Sequence, residues 1–88
     1  MSKLEITKAI LYEVKSLEKD LINSNERIYD SAEKQYYQIL NEFYAEHEEM
    51  LSPDQYEISK RDYAYFLQLI ELVAAHLEVE ETKRATLH

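Results

Sequence analysis

The chain contains no glycine and a single proline, Pro53, in 88 residues. That near-absence removes most of the residues that make tight turns, hairpins and phosphate-cradling loops, and leaves helices joined by short polar connections. At 45% hydrophobic and 32% charged, the composition is that of a folded domain and not of a disordered chain. A length of 88 residues allows one domain with a modest core, for which self-association is a common remedy. There is no cysteine, so neither disulfides nor thiolate metal sites add stability, and a reducing cytoplasm fits. The N-terminal Met1-Ser2-Lys3-Leu4-Glu5 is charged where a signal peptide needs an apolar stretch, and no run matches an uncharged membrane span. The expectation is a soluble cytoplasmic protein that does not enter a membrane.

Hydrophobic periodicity predicts three helices, near residues 2–22, 26–50 and 53–80. Ser2 and Glu5 have capping-box spacing, and Ile10, Val14, Leu17 and Leu21 follow at intervals of four, three and four. Asn23, Ser24 and Asn25 are turn-formers that close this helix, although without Gly or Pro a continuous helix stays open. Tyr29, Ala32, Tyr36, Leu40, Phe43, His47 and Met50 form the stripe of the second helix. Ser52-Pro53-Asp54-Gln55 is the sharpest local signal: a cap, a proline at the first helical position, an acid at the positive helix end and a box-completing glutamine.

The third predicted helix is apolar on two sides. Tyr63, Phe66, Ile70, Val73 and Leu77 mark one, and Tyr65, Leu69, Leu72 and Val79, around His76, mark the other. A helix apolar on most of its circumference must be covered on most of it. The expected fold is therefore an all-α antiparallel three-helix bundle, dimerised through the third helix if two neighbours cannot cover it. The alternative is a hairpin dimerised into a larger bundle. Residues 81–88 lose the pattern and are expected to be a frayed tail of this single helical domain.

Charge is distributed unevenly. Between Gln35 and Ser59 stand six carboxylates, Glu42, Glu46, Glu48, Glu49, Asp54 and Glu57, with no lysine or arginine, in a chain of net charge -8. Glu42, Glu46 and Glu49, at intervals of four and three, are expected to form a ridge along the second helix. Anions near a helix C-terminus oppose the macrodipole, by about 0.3–1 kcal/mol each at exposed sites, so stability alone would favour lysine there. Tyr37, Tyr44 and Tyr56 fall in or beside the same window and combine apolar area with a hydroxyl that tolerates water, as interface residues do.

Chemistry finds little purchase. Exposed carboxylates lack the concave setting that separates the pKa values of an acid–base pair. His47 has no second histidine four residues on, no Glu-x-x-His pair occurs, and His47 and His76 suit core or edge positions better than ligation. The serines lack a glycine-rich elbow. Lys8, Lys15, Arg27, Lys34, Lys60 and Arg61 are too scattered to converge on a dicarboxylate substrate or to track a phosphate backbone, and a basic face for a membrane surface is missing. No cofactor, no metal and no direct nucleic-acid binding are expected.

The sequence thus points to a non-catalytic protein–protein interaction module, a small acidic intracellular regulator or inhibitor that docks on a basic protein surface. Its negative surface resembles the charge of a nucleic acid, which would suit a nucleic-acid-processing partner. Glu42, Glu46 and Glu49 would steer the encounter, and Tyr37, Tyr44 and Tyr56 would supply contact area. The alternative is a structural, self-assembling helical protein whose homodimer seam is formed by Tyr65, Leu69, Leu72 and His76.

Overall fold

The computed structural model describes residues 2–86, and every regular element among them is an α-helix. Helix α1 spans Lys3–Ser16, α2 Glu18–Leu21, α3 Glu26–Glu46, α4 Pro53–Arg61 and α5 Tyr63–Thr86. The antiparallel three-helix bundle expected from periodicity is therefore corrected to a bundle of five helices. Two expected helices are interrupted, at Leu17 and at Asp62, and a third ends early.

At Leu17 the interruption is slight. The residue keeps a right-handed helical conformation, but its N–H also bonds the Val14 carbonyl at 3.1 Å, three residues back, a tightening typical of helix ends. Ser16 contributes by donating its hydroxyl to the Glu13 carbonyl at 2.7 Å, an alternative to regular helix pairing. After α2, the break at residues 23–25 is real. The Asn23 side chain accepts from the Asn25 N–H at 2.8 Å, and Asn25 in turn caps α3 by accepting from the Arg27 N–H at 3.0 Å.

Helix α3 ends at Glu46, four residues short of the expected end, and residues 47–50 form a turn. A tertiary contact holds the residue at this end. The His47 ring is drawn into the core, 5.0 Å from the Phe43 ring and within 2.8 Å of the Thr7 hydroxyl on α1. Helix α4 then begins at Pro53 with both halves of the capping box formed: Gln55 N–H donates to Ser52 Oγ at 3.2 Å, and Ser52 N–H donates to Gln55 Oε1 at 2.8 Å.

The break at Asp62 is better built. Its extended backbone ends α4, while its carboxylate accepts from the Tyr65 N–H at 3.0 Å and so caps α5. A helix end leaves carbonyls without intrahelical donors. Here the Tyr36 hydroxyl of α3 donates to the Ser59 carbonyl of α4, which ties the α4 end to the centre of the molecule.

Phe43 and Phe66 are both fully buried and meet edge to face at 5.4 Å; Tyr36 stands 5.5 Å from Phe66. These rings join α3 to α5. Burying each phenylalanine contributes about 1.5–3 kcal/mol. Helix α1 lies against α5 and α3, with Val14 and Thr7 wholly enclosed. The molecule measures 53 × 24 × 18 Å, and its long axis is extended by α5. Although the apolar pattern ends near residue 80, α5 continues to Thr86 with residues 81–85 exposed and with Lys83 and Arg84 favourably placed at its negative end. Leu87 and His88, the end of the expected tail, lie outside the described residues.

Candidate protein-docking surface

The C-terminal half of α3 lies between α1 and α4 and shows solvent a face with a groove on each side. On the α4 side, Asn41, Tyr44, Ala45 and Glu48 meet Pro53, Tyr56 and Glu57 across a cleft of about 340 Å³. On the α1 side, Glu42, Ala45 and Glu46 meet Ile6, Ala9, Ile10 and Glu13 across a groove of about 480 Å³. Ala45 is exposed and, among the described residues, is the one that lines both. Five carboxylates surround this face, Glu13, Glu42, Glu46, Glu48 and Glu57, and no lysine or arginine lines either groove among the described residues.

Rigid aromatic geometry supports the α4 side. The Tyr44 and Tyr56 rings meet edge to face at 5.1 Å and 72°, and the Tyr56 hydroxyl donates to Asn41 Oδ1. Lys60, one turn along α4, holds its ammonium 5.5 Å from the Tyr56 ring centre and 3.6 Å from Glu57. Tyr36 and Tyr63 stand outside the surface. Burial pushes both phenols up from the ordinary value, and each donates to a backbone carbonyl, of Ser59 and Val14 respectively.

The ridge expected from Glu42, Glu46 and Glu49 is not a single helical ridge. Because α3 stops at Glu46, Glu49 lies in the turn, where it pairs with Lys3 at 3.2 Å. Glu42 and Glu46 remain one turn apart and share their groove with Glu13. Two of the six window carboxylates, Glu49 and Glu57, thus have intramolecular cations, but both pairs are exposed, and such pairs are worth about 0–1 kcal/mol. Among the described residues no ion pair reaches Glu42, Glu46, Glu48 or Asp54.

Tyr37 stands apart from Tyr44 and Tyr56. It lines a smaller cleft at the other end of α4, with Tyr29, Glu33, Lys60 and Arg61, where the lining is mixed in charge. Of the expected self-association residues, Leu69 is in the core at 7% exposure and Tyr65 is half-buried against it. Neither lies open beside Leu72 and His76, because Leu69 is taken into the core and Tyr65 packs against it. Leu72 remains 68% exposed, Val79 55%, and His76 is exposed and bonds Glu80 at 3.1 Å.

Sequence patterns did not reveal Glu13 or the Thr7–His47 contact. Glu13 joins the face only because α1 packs beside α3, which no local spacing encodes. Among the described residues, no group of three or more His, Cys, Asp or Glu side chains is arranged to hold a metal ion, and no helix is long and apolar enough to cross a membrane. Comparison with protein-family models, curated proteins and solved structures gives no match.

Proposed function

We propose that the protein is a non-catalytic interaction module of the cytoplasm, a small acidic regulator or inhibitor that docks on a basic protein surface through the C-terminal half of α3 and its flanking grooves. One observation carries this reading. Each of α1, α2, α4 and α5 has a basic residue in its last turn, whereas α3 has none and instead presents carboxylates on both sides of its end. That arrangement opposes the helix macrodipole, and a cationic partner would relieve it. Glu42 and Glu46 steer the encounter, Glu13 adds to the same field, and Tyr44 and Tyr56 supply contact area. A row of anions on a helical scaffold also suits a partner whose basic surface ordinarily receives nucleic acid.

The test is the association rate with the partner recovered from the native host. Raising salt from about 50 to 500 mM should slow association by about tenfold or more, and Glu42→Lys with Glu46→Lys should slow it comparably at low salt. Unchanged rates under both treatments reject electrostatic docking.

Self-assembly is a second reading, favoured by the exposed Leu72 and Val79 on α5. Its seam would comprise Leu72, Ala75, His76 and Val79, with Leu69 excluded by burial.

A further inference from the structure

We propose that the cleft lined by Tyr44, Tyr56, Glu48 and Glu57 receives an arginine side chain of the partner; this rests on the docking role of the acidic face and adds the chemistry of its central contact. The two rings pack edge to face against one another at 5.1 Å, which fixes them as one aromatic wall, and both line the cleft. A ring face attracts cations through its quadrupole. The Tyr56 ring already does so within the molecule, with Lys60 Nζ at 5.5 Å, while Lys60 itself does not line the cleft. Glu48 and Glu57 stand at the rim, one from the turn after α3 and the other from α4. Glu57 shares its charge with Lys60 at 3.6 Å, but that pair is exposed and gives way readily.

Arginine fits this lining better than lysine. A guanidinium is planar, stacks on an aromatic face, forks onto a carboxylate and is weakly hydrated, whereas an ammonium is compact and holds its water. Pro53 and Ala45 offer apolar surface for the aliphatic stem. The cleft, at about 340 Å³, lies within the range of small-ligand sites. The positive end of α4 lies nearby and opposes a cation, but Asp54 in its first turn and the closed Ser52–Gln55 box offset it.

Hexaarginine and hexalysine peptides, titrated into the intact protein at low salt and followed by NMR, test the proposal. Hexaarginine should bind about 3- to 30-fold tighter than hexalysine and shift the Tyr44 and Tyr56 ring protons, with its side-chain Hδ signals moving upfield. Tyr44→Leu, which changes no charge, should remove that preference while hexalysine binding persists. Should Tyr44→Leu fail to fold, the ring shifts in the unaltered protein decide the matter. Equal affinity for the two peptides, without Tyr44 and Tyr56 shifts, overturns the arginine cleft but leaves acidic-face docking standing. Binding of neither peptide overturns both.

Discussion

Thr7 has one hydroxyl proton and gives it to the Lys3 carbonyl at 2.7 Å, so the 2.8 Å contact with His47 must be a bond donated by the imidazole Nε2–H. The other ring nitrogen, Nδ1, is then an unprotonated acceptor, buried and without a donor among the described residues. Burial pulls the His47 pKa below the ordinary 6.5, and Lys3 acts in the same direction, against the opposing influence of Glu46 and Glu49. An unfolded chain therefore binds a proton that the folded one refuses. Stability is full above pH 6.5 and falls as pH drops from there toward the folded-state pKa. Thermal melts between pH 7 and 5 should show this loss, and His47→Gln, which keeps a donor for Thr7 but does not titrate, should flatten the profile; parallel profiles would acquit His47. Tyr36 gives a second prediction at this scale. Tyr36→Phe deprives the Ser59 carbonyl of its donor at an enclosed site, which should cost about 1–3 kcal/mol in urea denaturation. A loss under about 0.5 kcal/mol would mean that water replaces the phenol.

Asp62 shows how an element boundary can hide in an apolar stretch. Asp62→Ala should remove the α5 cap, lower stability by about 0.5–2 kcal/mol, and reduce amide protection at Tyr65 in hydrogen exchange; unchanged protection would deny the cap its role. The signal was present in the sequence as Lys60-Arg61-Asp62, two cations suited to a helix end followed by an acid suited to a start. The continuous apolar pattern on both sides concealed it. Ser52-Pro53 and Asn23–Asn25 were legible because their capping is purely local. Leu17 offers no comparable sign. The early end of α3 was not legible either: His47, its C-cap, is held by Thr7, forty positions away in the chain.

Over the whole molecule, a net charge of -8 on 88 residues repels like copies, and the exposed apolar stripe of α5, Leu72, Ala75 and Val79, is narrow and flanked by Glu71 and Glu78. Sedimentation equilibrium at micromolar concentration should therefore return a monomer. A stable dimer dispersed by Leu72→Glu would instead favour the self-assembly reading. Glu42, Tyr44 and Glu46 were legible together because they share α3, and Tyr56 because only a short turn separates α4 from the end of α3. Glu13 and the separation of Tyr37 depend on how helices are laid side by side, which periodicity does not specify. The face also has a vulnerable point. Since Ala45 contributes nothing to the interior, a single bulky replacement there would raise a wall between the two troughs while the scaffold beneath stayed whole. On the proposed docking role, recognition is then lost in one mutational step, with folding untouched.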